Sequence, residues 1–260
     1  MKTVIIAEKP IVAQAIATAL IGHYQKHEGY FEGDRYIVTW AYGHLFSLAE
    51  PEVYDSKYKK WMMDDLPILP KKFILTSNKE NAKHLKIVKK LCDNTNEIIN
   101  ACDSGREGEL IHRYLMNGLG INKPVKRLWT SSLTPEAIHK AFSSLQPSSH
   151  FDNLYKAAKL RSESDWIVGM NTSRAFSIKF NDKFSLGRVQ TPVLAMIVER
   201  QESIETFTSQ KFFEVEAIFI QGVTSRNGKN RTLSRYSRPI VFLHRPTVFF
   251  INGYYLNVAV

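Results

Sequence analysis

Ile98-Ile99-Asn100-Ala101-Cys102-Asp103-Ser104-Gly105-Arg106-Glu107-Gly108-Glu109-Leu110 passes from an apolar strand pattern into acids, glycines and an arginine, and then into a helical pattern. A parallel strand that ends in a carboxylate places that group in the crevice at the carboxyl edge of a sheet, where open α/β folds bind ligands. Asp103 and Glu107 are hard oxygen donors suited to a divalent cation, and Arg106 offers a planar fork to a phosphate. The same acids also suit the first turn of a helix, whose partial positive charge favours carboxylates.

Thr3 to Ala7 is a short β-rich run, followed by Glu8-Lys9-Pro10 and by Val12, Ala13, Ile16, Ala17 and Leu20 at helical spacing. Pro10 suits a first helical turn. Glu8 and Lys9 then stand at a strand end, as Asp103 does, and neighbouring strands would bring Glu8 and Asp103 together. The alternative is a solvated loop pair. Tyr36 to Trp40 reads as a strand leading into Tyr42-Gly43-His44-Leu45, in which His44 is either structural or a phosphate donor.

Phe73 to Thr76 reads as a strand and Lys79 to Cys92 as a helix. Residues 97–101 form the strand that feeds the opening stretch, 109–119 the helix behind it, and 125–129 a further strand. Thr134-Pro135 opens a helix with a capping residue and a first-turn proline. Strands and helices alternate in this way to about residue 145, which predicts an α/β fold with a mostly parallel, doubly wound sheet. Pro147-Ser148-Ser149 marks a boundary. Beyond it lies one long helical stretch from Asp152 to about Lys179, then Ser185-Leu186-Gly187-Arg188-Val189-Gln190-Thr191-Pro192, a helix from Val193 to Arg200 and a strand from Phe212 to Ile220.

Composition sets bounds on function. With 260 residues, 44% hydrophobic and 23% charged, the chain can bury a full core. Its apolar runs are too short for a membrane span or a signal peptide. Cys92 and Cys102 have no companions at metal-ligand spacing and read as reduced thiols in or near the core. The net charge of +10 points to a polyanion, but Arg226, Lys229, Arg231, Arg235, Arg238 and Arg245 supply +6 of it in a stretch from Val223 to Val260 that has no acid, which leaves +4 for residues 1–222. Lys57, Lys59, Lys60 and Trp61 could track a nucleic-acid backbone and stack a base, or Trp61 could anchor the core. Arg161 and Asp165 are an i,i+4 pair. Gly187 permits close backbone approach, with Arg188 and Gln190 as phosphate or base contacts.

The motifs Ala7-Glu8-Lys9-Pro10, Tyr42-Gly43-His44-Leu45, Asp103 to Glu109, the Arg161 to Arg174 helix and Leu186 to Pro192 together resemble, in order and spacing, those of the type IA DNA topoisomerases of the topoisomerase III kind, over about residues 1–220. The resemblance implies a Rossmann-like Toprim domain at 1–150, a helical DNA-groove segment at 151–205 and the start of a gate-forming β domain at 206–222. An atypical basic tail at 223–260, read as an aberrant frame of a longer gene, would follow.

It further implies Mg2+ held by Glu8, Asp103 and Glu107, and catalytic roles for Glu8, Lys9, Arg106 and Glu107, with Lys9 on the scissile phosphate. The family's middle aspartate is replaced by Gly105, which thins the metal site. Trp61, Arg161, Arg174, Gly187, Arg188, Val189, Gln190 and Thr191 fall on DNA-groove motifs. The implied partner is DNA, chiefly single-stranded, with no nucleotide cofactor and no membrane, in the bacterial cytoplasm or nucleoid. The implied reaction is Mg2+-dependent breakage, passage and rejoining of single strands. The family's nucleophilic tyrosine, set in a Pro-Arg-Thr context, has no counterpart in this sequence, Tyr236 being the nearest imitation. The expectation for these 260 residues is therefore metal binding and weak single-strand binding without cleavage. A binding module without catalysis and a different Toprim phosphotransfer enzyme are the alternatives.

Overall fold

The structure is a computed structural model that describes residues 2–77, 79–209, 213–224, 229–240, 250–251 and 254–255. It divides into two compact units, Met1–Ala195 and Met196–Val260. In the first, β1 (Thr3–Ala7), α1 (Pro10–Leu20), β2 (Gln25–His27), β3 (Tyr30–Glu32), β4 (Tyr36–Trp40), β5 (Phe46–Leu48), α2 (Pro51–Tyr54), β6 (Leu75–Ser77), α3 (Ala82–Asp93), β7 (Ile98–Ala101), α4 (Arg106–Leu119), β8 (Val125–Arg127), α5 (Pro135–Phe142), β9 (Gln146–Pro147) and α6 (Asp152–Phe180) follow one another.

A seven-stranded sheet runs β2-β3-β4-β1-β7-β8-β9. Its centre, β4-β1-β7-β8, is parallel, and β2, β3 and β9 are antiparallel additions at the edges. Because successive strand residues face opposite sides, β1 feeds two cores. Val4 and Ile6 join Leu45, Val88, Ile98, Leu110 and Tyr114 under α3 and α4. Ile5 and Ala7 join Ala13, Ile16, Val38, Ile99, Leu128 and Ile138 under α1 and α5. Residues Val4 to Ala7 are all at most 1% exposed, as a strand covered on both faces requires. Burial of each Val or Ile side chain here contributes about 1.5–3 kcal/mol. The doubly wound, mostly parallel sheet read from the sequence is the one observed.

Local signals act as the sequence suggests. Thr134 Oγ1 accepts from the Ala137 amide at the start of α5, with Pro135 in the first turn. α4 stops at Gly120, whose φ of 66° is the left-handed conformation that ends many helices. Two expectations shift. The strand expected at 73–76 is β6, which pairs antiparallel with β5 in a separate two-stranded sheet. The helix expected from Lys79 begins as a 3-10 turn and becomes α-helical at Ala82.

α6 is 29 residues long. It is tied to the segment between β5 and β6: Trp166 Nε1 donates to the Ala49 carbonyl at 3.0 Å, and the Asn171 amide brackets both backbone groups of Ile68. α7 (Gln190–Glu205) follows. In the second unit, β10 (Phe213–Thr224) and β11 (Lys229–Ile240) form an antiparallel hairpin, and β12 (Phe250–Ile251) pairs with β13 (Tyr254–Tyr255). The boundary read at residue 223 falls within β10. Of the basic tail, residues 225–228, 241–249, 252–253 and 256–260, with Arg226 and Arg245 among them, lie outside the described residues. Among the described residues no helix is long and apolar enough to cross a membrane.

Candidate active site

The parallel register decides which side chains meet. Ala7 is level with Trp40 on one side and Ala101 on the other, so the chain leaves β1, β4 and β7 at one sheet edge. The Asp103 amide donates to Glu8 Oε2 at 3.3 Å, and the Gly43 amide donates to the Glu8 carbonyl at 3.1 Å. Lys9 Nζ donates to Asp103 Oδ2 at 2.7 Å and lies 3.4 Å from Glu8 Oε1. The hydrogen bond to Asp103, and then the Glu8 charge, hold the Lys9 ammonium above its ordinary pKa. Three stretches singled out in the sequence thus converge, one from each strand end.

The backbone that carries Asp103 is packed directly on α4. A Cβ at Gly108 would lie 2.1 Å from the Asp103 carbonyl oxygen, a separation no side chain tolerates. Ser104 Oγ donates to the Thr130 carbonyl at 2.7 Å and ties the following turn to the loop after β8. Glu107 is offset from the carboxylate pair, with His44 Nε2 3.6 Å from its Oε2. Arg106 is exposed and makes no ion pair among the described residues. Gly105 has φ of 179° and open space where a Cβ would go, so an acid fits there.

Glu8 and Asp103 already hold one cation, the Lys9 ammonium, and two carboxylates with water completing the shell suit Mg2+, which keeps several waters. Among the described residues no three His, Cys, Asp or Glu side chains stand close enough to bind a metal jointly, so Glu107 is not gathered with the other two. Both cysteines are free and buried; burial raises the Cys92 thiol to about 12 and pushes Cys102 up as well, so neither is a thiolate ligand.

The residues expected at a DNA groove divide by environment. Arg188 makes a two-pronged contact with Asp165, Nε to Oδ1 at 2.5 Å and Nη2 to Oδ2 at 3.0 Å, while Arg161 Nε stands 3.8 Å from the same carboxylate. This contact pulls the Asp165 carboxyl below its ordinary range. Gly187 and Thr191 close a turn, the Gly187 amide donating to Thr191 Oγ1 at 3.0 Å and the Thr191 amide to the Gly187 carbonyl at 3.2 Å. Gln190 Nε2 donates to Ser185 Oγ, and Val189 is exposed. Arg174 differs: it is 4% exposed, donates to the Tyr58 carbonyl at 2.7 Å, and has its guanidinium 5.0 Å from the Trp61 ring centre. It supports Trp61, which is itself 44% exposed.

Sequence reasoning missed the buried polar groups beneath Asp103, namely Asn100, Glu109 and Arg127, and the half-buried Arg113 that joins them. Two signals were available: Glu109 and Arg113 at i,i+4 on one helix, and a charged residue at the inward position of β8.

Residues 3–133 match the family described as Toprim domain, and residues 149–238 match a family described as DNA topoisomerase. DNA topoisomerase 3 of Bacillus thuringiensis (strain Al Hakam) is 50% identical over 218 residues, 83% of this chain and 30% of that protein. DNA topoisomerase 3 of Bacillus subtilis (strain 168) is 45% identical over 225 residues, 86% of this chain and 31% of that protein. The structure of full-length topoisomerase I from Thermotoga maritima superposes with a TM-score of 0.54 at 23% identity, over 85% of this chain and 33% of that one, a likeness of fold. The chain therefore spans about 30% of the length of the curated relatives it matches. It belongs to the Toprim family, as a topoisomerase III-like member of the type IA DNA topoisomerases.

Proposed function

We propose that these 260 residues are the metal- and phosphate-holding part of an enzyme that breaks, passes and rejoins single strands of DNA, in the bacterial cytoplasm or nucleoid. One observation carries the reading: Glu8 and Asp103 stand at the ends of adjacent parallel strands with the Lys9 ammonium between them. Bound there, Mg2+ would supply positive charge that neutralises and orients a DNA phosphate. Glu8, steadied by the Asp103 amide, and Asp103 are its hard oxygen donors. Glu107 acts beside them through His44 or an intervening water.

On this reading the Lys9 ammonium turns from its two carboxylates to the scissile phosphate, and the exposed Arg106 offers its fork to an adjacent one. Arg188 exchanges Asp165 for a phosphate, Arg161 supports it, and the Gly187 to Thr191 turn brings Val189, Gln190 and backbone amides against the strand. Trp61, propped by Arg174, offers a ring to a base. No residue of this stretch is assigned as the nucleophile, and no nucleotide cofactor is needed.

Calorimetric titration of the chain with Mg2+, followed by binding of a fluorescent single-stranded oligonucleotide, tests the reading. Glu8→Gln and Asp103→Asn should each weaken Mg2+ at least about tenfold while leaving the fold intact. Mg2+ affinity unchanged from that of the unaltered chain in both variants would place the metal elsewhere, and a covalent DNA adduct mapped to a tyrosine of this chain would overturn the assignment of the nucleophile.

A further inference from the structure

Arg127 is 1% exposed; both its terminal nitrogens are hydrogen-bonded, while Nε has no hydrogen-bond partner and is met by the Glu109 carboxylate as an ion pair. Its Nη1 donates to the carbonyls of Cys102 at 2.7 Å, Asn100 at 3.1 Å and Leu128 at 3.1 Å, and to Asn100 Oδ1 at 3.2 Å. Its Nη2 donates to the Asp103 carbonyl at 2.7 Å. Cys102 and Asp103 are the two residues over which the chain leaves β7 and turns into the loop before α4. Their carbonyls have no strand to pair with, and one planar fork satisfies both.

The fork is itself held. Glu109, fully buried, places Oε2 3.3 Å from Arg127 Nε and accepts from Asn100 Nδ2 at 3.0 Å and from Arg113 Nε at 2.9 Å. Arg113 Nη2 in turn donates to Asp152 Oδ1 at 2.7 Å and to the Ser148 carbonyl at 2.8 Å. Asp152 is the first residue of α6. The Trp129 ring lies 5.0 Å from the guanidinium and stacks on Phe151.

We infer that Arg127 is a positioning residue for Asp103, clamping the Cys102 and Asp103 carbonyls, and that the chain Glu109–Arg113–Asp152 holds the clamp in register with the start of α6. In its metal-binding consequence the inference rests on the function proposed above. In its backbone consequence it stands alone. A lysine at 127 would keep the charge beside Glu109 but could not reach both carbonyls in one plane. Loss of the clamp frees the peptide that aims the Asp103 carboxylate and the amide that meets Glu8, without removing either carboxylate.

The test compares the chain with its Arg127→Lys variant by amide hydrogen exchange, followed by NMR without metal, and by calorimetric titration with Mg2+ alone. In the variant the amides of 102–105 should exchange about tenfold faster while those of β1 keep their rates. Mg2+ should bind about tenfold more weakly. A folded variant with unchanged exchange at 102–105 overturns the inference, even if its global stability is lower. If Mg2+ fails to bind the unaltered chain, the proposed function falls while the exchange comparison still decides the clamp. Should Arg127→Lys not fold, Asp152→Asn at the half-exposed end of the chain is read the same way, with about twofold faster exchange expected and unchanged exchange overturning the linkage.

Discussion

Lys9 Nζ lies 2.7 Å from Asp103 Oδ2, so the candidate metal carboxylate is already paired with a cation from the neighbouring strand end. The pairing raises the Lys9 pKa above its ordinary 10.5. For a base shifted upward, the favourable pairing is complete below 10.5 and is lost only as pH rises through the higher folded value. Between pH 7 and 9 the ammonium therefore competes with a divalent cation at constant strength. Lys9→Met should tighten Mg2+ about threefold throughout that range while weakening single-stranded DNA in the presence of Mg2+. Calorimetry at pH 7 and pH 9 checks both halves of the statement. Weaker Mg2+ binding in the variant would mean that Lys9 organises the carboxylates and does not compete for them.

Gly108 and Gly105 flank the same turn and should respond oppositely to a side chain. At Gly108 a Cβ would press to 2.1 Å from the Asp103 carbonyl oxygen and 2.9 Å from its nitrogen, both backbone atoms that cannot swing away. Gly108→Ala is expected to cost about 1–3 kcal/mol in urea unfolding, despite the better helix propensity of alanine, and to weaken Mg2+ as Asp103 is displaced. At Gly105 the space is open and the backbone is extended, so Gly105→Asp should leave stability within about 0.5 kcal/mol of the original. The added carboxylate should tighten Mg2+ about tenfold if it faces the Glu8–Asp103 pair. A Gly105→Asp chain with unchanged Mg2+ affinity would show that an aspartate at this position points away from the metal here.

Much of this architecture is legible in the sequence because it rests on local signals. The runs Val4-Ile5-Ile6-Ala7 and Ile98-Ile99 announce strands covered on both faces, and Thr134-Pro135 announces a helix start. Their adjacency is not local: only the register of β1 with β7 puts Glu8 beside Asp103. β2 and β3 were missed because Gln25–His27 and Tyr30–Glu32 are short, polar edge strands with one covered residue, Phe31, to betray them. Arg127 and Glu109 are far apart in sequence and belong to no shared periodicity, so their pairing is a product of β8 lying next to β7. Arg174 reads as a groove cation by its place among motifs, yet a carbonyl and a ring 116 and 113 positions earlier bury it. That outcome depends on tertiary contact alone.

His112 sets an acid limit on the fold. It is fully buried on α4, and neither ring nitrogen has a hydrogen-bond partner among the described residues. Burial, with Arg127 and Arg113 nearby, depresses its pKa from 6.5 to about 3. The unfolded chain protonates this ring below 6.5 and the folded chain does not, so stability falls as pH drops from 6.5 toward 3, by about 1.4 kcal/mol per unit of pH once well below 6.5. His112→Leu removes that dependence and two unpaired buried nitrogens. It should raise stability by about 1 kcal/mol at pH 7, and by about 1 kcal/mol more at pH 5.5. Parallel urea curves of the two chains at both pH values isolate the contribution from the carboxylates that titrate in the same range. An equal difference at the two pH values would place a proton on His112 in the folded state.

The Arg188 contact with Asp165 is exposed on both sides, 50% and 40% by side chain, so solvent screens it and its worth to the fold is small. That weakness makes the guanidinium available for exchange onto a phosphate. Arg188→Ala should leave urea unfolding nearly unchanged and weaken single-stranded DNA about fivefold at low salt. It should also reduce the slope of log affinity against log salt by about 0.7, the value for one phosphate contact on a single strand. Asp165→Asn should act in the opposite direction, because it keeps the shape and removes the competing charge: affinity should rise about twofold with the slope retained. Fluorescence anisotropy across a salt series separates the cases. If Arg188→Ala lowers affinity without altering the slope, the residue acts by shaping the Gly187 to Thr191 turn and not by meeting a phosphate.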